Sequence, residues 1–293
     1  MAEVTVRVPA TTANLGPGFD SFGCALGLYN TLTFREIQEG LSVTGCPEAY
    51  QNRDNLAVRA YEAAMERLGR PVAGLGLHIE AEIPVSRGLG SSSAMILGGV
   101  LAANHLAGGT LTREDVLEVG TELEGHPDNL APALYGGLTA SMMEGGRPVT
   151  ASFPLWEKLQ FVVLIPDFPL STAQAREVLP RQVDFQDAVF NVSRGALVLS
   201  ALGSGDLDLL GRAMDDRLHQ PYRRSLIPGI DLAEMAAYSS GAAAFCVSGA
   251  GPTCLALGAS PRLREDIAAA MAEVLPSWRV LPLLPDREGA VIL

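Results

Sequence analysis

The densest chemistry in this chain lies in Pro84-Val85-Ser86-Arg87-Gly88-Leu89-Gly90-Ser91-Ser92-Ser93-Ala94. Gly88 and Gly90 let backbone approach a ligand with no Cβ in the way and tolerate positive φ. The three serines present hydroxyls and backbone N–H groups where an apolar helix begins. Those first N–H groups have no partner inside the helix, and the helix dipole adds partial positive charge there. A polyphosphate is the natural ligand of such a site, and a serine hydroxyl could also reach Mg²⁺. There is no GxxxxGK[ST], so this is not a P-loop, and GxGxxG lacks its third glycine. A glycine turn capped by serines accounts for the same residues without any ligand. Arg87 either helps hold phosphate or is simply exposed.

The surrounding pattern supplies the elements that would position this loop. Val4, Val6 and Val8 alternate with polar residues and predict a half-buried strand. Strands are expected over 31–37 and 41–44, and a helix over 54–68, where apolar residues recur at helical spacing until Gly69. Strict alternation predicts a strand over 75–85, leading into the loop of residues 86–93 and a helix to about Leu106. Thr112 with Asp115 has the form of a capping box opening the next helix. A strand over 136–143 closes the first half. In the second half, strands are expected at 161–165 and 278–284, and helices at 172–179, 186–202, 206–216, 231–239 and 262–275. A hairpin is expected at 245–257, around Gly249-Ala250-Gly251-Pro252. Strands and helices mixed in both halves predict two α+β domains, with a boundary near 145–158.

Bulk properties narrow the function classes. The chain has 293 residues, 48% of them hydrophobic and 18% charged, enough for a substantial core and unlike a disordered acidic chain. A net charge of −12 argues against nucleic acid and against a polybasic membrane surface. An anionic ligand would need positive potential concentrated in a cleft, supplied by arginine, since Lys158 is the only lysine. Cys24, Cys46, Cys246 and Cys254 form no CxxC pair and read as free thiols in a reducing compartment. The start of the chain has no signal-peptide pattern and no apolar run is long enough to span a bilayer, so a cytoplasmic location is expected. His78, His105 and His219 have no metal-ligand spacing and receive no role.

Residues 84–94 match the motif Pro-x₃-Gly-Leu-Gly-Ser-Ser-small of the GHMP kinases, named for galactokinase, homoserine kinase, mevalonate kinase and phosphomevalonate kinase. The chain resembles that family along essentially its whole length. The family's second glycine-rich block is similar to Ser248-Gly249-Ala250-Gly251-Pro252-Thr253. The block from Val8 to Asp20 looks like that of the homoserine-kinase branch, with Thr11 and Thr12 where other branches place a basic residue. The resemblance implies an α+β, two-domain GHMP fold with the active site in the cleft between domains. Residues 1–150 would form the N-terminal domain with the ATP loop, and residues 151–293 the C-terminal domain. It implies ATP and Mg²⁺, a small-molecule partner of the L-homoserine type and no nucleic-acid or membrane partner. A homodimer is left open.

Roles follow by position from the same resemblance. Residues 84–94 (Pro84, Val85, Ser86, Arg87, Gly88, Leu89, Gly90, Ser91, Ser92, Ser93 and Ala94) would bind the nucleotide, with Asn55 near the adenine. Asn14 and Asp20 would hold the substrate's amino end. His126 and Asn129, in Glu124-Gly125-His126-Pro127-Asp128-Asn129-Leu130-Ala131-Pro132, would lie at the substrate. Thr172 and Arg176 belong to a Ser-Thr-x₃-Arg segment and Arg223 to a Pro-x-Arg segment, and the two arginines would grip a carboxylate through their guanidinium forks. Ser92 and Glu122 match Mg²⁺ positions, although the short link to His126 leaves Glu124 as the alternative. Asp128 is the candidate base, or Asn129 merely orients the hydroxyl. Each residue also has an ordinary reading: Asn14 and Asp20 suit a turn, Asp128-Asn129 a helix start, and Arg176, Glu122 and Glu124 a solvated helix face.

Overall fold

Valines at every second position put one face of a strand in the core, and the computed structural model, which describes residues 2–293, places Val4, Val6 and Val8 there. They belong to β1 (Glu3–Ala13), which pairs antiparallel with β2 (Phe22–Glu36). β2 starts well before the expected residue 31, because its glycine-interrupted first half has no clear alternation. β3 (Gly40–Thr44) and α1 (Leu56–Arg67) follow, then β4 (Gly74–Ala81), which lies between β2 and β3.

After β4 come the glycine-serine loop and α2 (Ser91–Leu106), α3 (Arg113–Glu124) with the Thr112–Asp115 capping box, and α4 (Leu130–Tyr135). α2 is apolar nearly all round because it is packed on several sides, by β1, α1 and α3. Gly99 makes the α1 contact possible: a Cβ there would sit 2.3 Å from the Ala57 carbonyl oxygen. β5 (Leu138–Glu144) and β6 (Arg147–Phe153) form a hairpin joined to β2 through Phe22–Cys24. β6 spans residue 150, where the sequence places the division between halves. The alternation within 147–153 is weak, since most of that edge strand faces solvent.

The second half contains β7 (Gln160–Ile165), α5 (Thr172–Glu177), α6 (Phe185–Ser204), α7 (Leu207–Ala213), the one-turn α8 (Gln220–Arg223), α9 (Ile230–Ser239), β8 (Ala244–Val247), β9 (Cys254–Gly258), α10 (Leu263–Val274) and β10 (Arg279–Leu283). Its four strands form an antiparallel sheet in the order β10-β7-β9-β8. Both faces are covered, so β7 reads as a continuous apolar run. Phe161, Val163 and Ile165 join the large core shared with the first half, while Val162 and Leu164 face a smaller core with α9 and α10. The chain then returns to the first sheet, where β11 (Val291–Ile292) pairs with β1. This mixture of antiparallel sheets and flanking helices is an α+β fold.

Cys24, Cys46, Cys246 and Cys254 are free. Burial pushes the Cys24, Cys246 and Cys254 thiols well above their usual range. No helix among the described residues is long and apolar enough to cross a membrane.

Candidate active site

The loop of residues 85–92, the β1–β2 connection, the 124–129 segment, α5, α8 and the turn between β8 and β9 converge on one cleft of about 400 Å³. That is the size of a small-molecule site. Gly90, at φ +73°, is the N-cap of α2 and makes no side-chain cap, so the N–H groups of the first turn remain available. The loop is fastened to the second half. Arg87 donates from Nε to the Pro166 carbonyl (3.1 Å) and from Nη2 to the Asp167 carbonyl (2.9 Å), and Leu170 N donates to Ser86 O (3.0 Å). Ser248 donates to Gly88 O at 2.7 Å. Arg87 is therefore a clasp between the halves, which neither of its expected roles anticipated.

Ser92, Gly90, Gly88, Arg87, Ser86, Val85 and Ser91 border the cleft, whereas Pro84, Leu89, Ser93 and Ala94 do not. Leu89 and Ala94 are core residues that anchor the loop from below. Ser92 and Ser93 both donate to Glu124 Oε1, the latter at 3.2 Å. Glu124 borders the cleft, but Glu122 does not. Glu122 is more than half exposed and pairs with Arg67 at 3.3 Å on the outer face of α3. Of the two carboxylates expected for Mg²⁺, Glu122 therefore faces away from the cleft and Glu124, the alternative, faces it: two residues apart on a helix, they point to different faces. Hydroxyl oxygens beside a carboxylate are a hard donor set that suits Mg²⁺ together with phosphate oxygens.

At the other side of the cleft, Asp20 and Arg176 form a bidentate pair, at 2.9 and 3.0 Å. Asn14 is buried at the border of the cleft: Oδ1 accepts from Asp20 N (2.9 Å) and one Nδ2–H donates to Gly249 O (2.8 Å). Through these bonds it sets the turn that presents Asp20. Asn55 is similar, capping α1 by accepting from Ala57 N and donating to Tyr50 O at 2.9 Å. Thr172 borders the cleft in the first turn of α5. Arg223 is buried. It donates from Nε to Ala175 O (3.1 Å) and from Nη1 to Gly249 O (3.0 Å), while Nη2 has no partner among the described residues. Burial, and then the charge of Arg176, lowers its pKa to about 10, so it remains a cation at neutral pH.

Between these groups lies the 126–129 segment. His126 Nδ1 is 2.6 Å from Asp128 Oδ1, and Asp128 is buried. Burial pushes His126 down, but the hydrogen bond and charge of Asp128 outweigh it, and the pKa ends above the ordinary 6.5. Asn129 Oδ1 accepts from Thr11 Oγ1 at 2.8 Å.

Family models for the GHMP kinases N terminal domain and the GHMP kinases C terminal match residues 55–137 and 198–277. The homoserine kinase of Clostridium botulinum is 41% identical over 99% of this chain and 98% of its own length, and that of Clostridium beijerinckii is 42% identical with the same coverage. The chain belongs to the GHMP kinase family. The crystal structure of homoserine kinase from Cytophaga hutchinsonii superposes with a TM-score of 0.89 at 28% identity, covering all of this chain and 98% of that one. The L. major mevalonate kinase in complex with R-mevalonate shares the fold at TM-score 0.76 and 19% identity, over 97% of this chain and 96% of that one.

Within this GHMP kinase, sequence reasoning missed the bridging contacts of Thr11, whose backbone N–H donates to Leu89 O of the loop (3.1 Å) and whose hydroxyl donates to Asn129, and it missed Phe19, which lies under both cleft arginines at 5.8 Å (Arg176) and 5.1 Å (Arg223). It also missed the apolar wall of Cys46, Pro47, Tyr50, Leu56, Ile79 and Met95. Those wall residues come from four separate segments, and no spacing in the chain announces that they meet.

Proposed function

We propose that this protein transfers the γ-phosphoryl group of ATP to the hydroxyl of L-homoserine, giving O-phospho-L-homoserine and ADP, the step that feeds threonine synthesis. The observation that carries the reading is one end of the cleft. A carboxylate, Asp20, pairs with Arg176, and the guanidiniums of Arg176 and Arg223 both lie over Phe19. An amino acid brings the complementary charges. The helix N-terminus at Gly90–Ser93 supplies the matching place for polyphosphate.

Phosphoryl transfer asks little covalent chemistry of the protein, so positioning and charge decide the rate. Ser92 and Glu124 would hold Mg²⁺, which would offset phosphate charge in a cleft that has no lysine on its border. Asp128 Oδ1 is taken by His126, and its other oxygen accepts no hydrogen bond from the described residues. We assign that free oxygen to the substrate hydroxyl: it aims the attacking oxygen and takes the proton as the new P–O bond forms. His126 holds the carboxylate in place, and Thr11 does the same for Asn129. The apolar wall around Tyr50 and Met95 would take the base.

A substrate panel tests this. With Mg-ATP the purified protein should phosphorylate L-homoserine and leave mevalonate and galactose untouched. Mevalonate turnover at a comparable rate would end the homoserine assignment while leaving the family assignment intact.

A further inference from the structure

His219 is fully buried, lies outside the reacting centre, and yet every polar atom it has is aimed. Nε2 is 2.8 Å from the Gly16 carbonyl oxygen, which can only accept, so Nε2 carries the proton. Nδ1 is then a lone-pair acceptor, and Arg223 Nη1 donates to it at 3.3 Å. The backbone N–H of His219 donates to Asp216 Oδ2 at 2.9 Å. Asp216, itself buried, also accepts from Gln220 N (2.6 Å), Leu218 N (2.9 Å) and Asn191 Nδ2 (2.6 Å). Asn191 reaches it from α6. The ring of His219 stacks on Phe19 at 5.2 Å and 22°, and Phe19 lies under both cleft guanidiniums.

We propose that His219 is a positioning residue of the substrate site: as the neutral Nε2–H tautomer it fixes Arg223 so that the unbonded Nη2 faces the cleft for the substrate carboxylate. The inference rests on the homoserine reading above. Histidine fits this place for three separate reasons. It accepts from a guanidinium on one side, donates to a carbonyl on the other, and presents a flat face to Phe19. A charged ring would put an N–H against Arg223 and a third positive charge beside Arg176. Burial, the largest influence, lowers the His219 pKa and keeps the ring neutral. Asp216 takes no proton in this scheme. It gathers the three N–H groups of residues 218–220 and so sets the turn from which α8 carries Arg223.

The test compares His219→Leu, which removes the acceptor, with His219→Gln, whose carbonyl can still accept from Arg223. L-homoserine and 3-amino-1-propanol, which lacks the carboxylate, serve as substrates for the full chain. For His219→Leu, KM for homoserine should rise about tenfold, with kcat within roughly threefold and KM for ATP unchanged, as expected for one lost orienting hydrogen bond. Turnover of the amino alcohol should be unaffected, and His219→Gln should recover most of the homoserine loss. Should the leucine variant not fold, His219→Asn, polar but too short to reach the guanidinium, is read in the same way. Equal losses on both substrates, an unchanged KM for homoserine, or a glutamine variant no better than leucine would overturn the inference alone. Wild-type protein inert toward homoserine would overturn the functional reading and this inference with it.

Discussion

Gly90→Ala isolates the coupling between the phosphate loop and the substrate segment. Gly90 has φ +73°, and a Cβ there would lie 2.0 Å from Thr11 Oγ1 and 3.2 Å from Thr11 N. The left-handed conformation costs an alanine about 1–2 kcal/mol. The Thr11 hydroxyl must also move, breaking its 2.8 Å bond to Asn129 at a net cost of about 1 kcal/mol. The sum is about 2–3 kcal/mol, which in a chain of this size lowers the unfolding temperature by roughly 4–12 °C. Kinetically the damage should fall on both substrates, since Thr11 hands the disturbance to Asn129. Thermal unfolding and kinetics of Gly90→Ala, Thr11→Ala and the double variant form the assay. If the clash is real, the double variant is less destabilised than the sum of the singles by about 1 kcal/mol. Strict additivity, or Gly90→Ala with unchanged stability and unchanged KM for ATP, would refute this account of the loop.

Two further outcomes follow from the site. Glu124→Gln should reduce Mg²⁺-dependent turnover about a hundredfold or more, whereas Glu122→Gln, which disturbs only an exposed pair with Arg67, should leave it within twofold; the reverse order in steady-state assays would restore Glu122 as the ligand. His126 has a folded-state pKa above its ordinary 6.5, so its pairing with Asp128 stabilises the fold fully below that value and loses its effect as pH rises through the raised value. The difference in unfolding temperature between wild type and His126→Gln should therefore shrink from about pH 6 to pH 8.5, a difference being needed because buried His219 titrates with the opposite sign.

Local patterns were readable where one physical cause acted alone. The capping box at Thr112 and Asp115, the strand of Val4, Val6 and Val8, and the hairpin around Gly249–Pro252 each came from neighbours in the chain. β6 and β11 were not readable, because an exposed edge strand and a two-residue bridge lack a buried face to impose alternation. In the site, residue types were legible and partners were not. Asn14 and Asn55 suit a ligand or a turn equally, and in the structure both have their amides committed to backbone. Glu122 and Glu124 differ only in which side of α3 they face, which depends on where α2 lies. His219 stands four residues before Arg223, one of its ring partners, but the other, Gly16, comes from the distant β1–β2 connection, so the pair of contacts that explains it could not be read from spacing.

The pairing of Asp20 with Arg176 bears on selectivity. These two residues are assigned to opposite ends of the substrate, yet they bind one another, with more than a third of each side chain exposed. Solvent screening limits such a pair to about 1 kcal/mol or less, so it is weak enough to exchange. A zwitterion entering the cleft offers an ammonium to Asp20 and a carboxylate to Arg176, replacing one ion pair by two. A hydroxy acid of the mevalonate type would take Arg176 and leave Asp20 without a partner, and a sugar would offer neither charge. Arg223 differs from Arg176 in being buried, tied to Ala175, Gly249 and His219, and closed by no carboxylate. In the proposed reading it would be the fixed half of the carboxylate grip, and Arg176 the half that would have to let go of Asp20 first. Discrimination then comes mainly from the charge that a wrong ligand would strand, a larger lever than any contact it would fail to make.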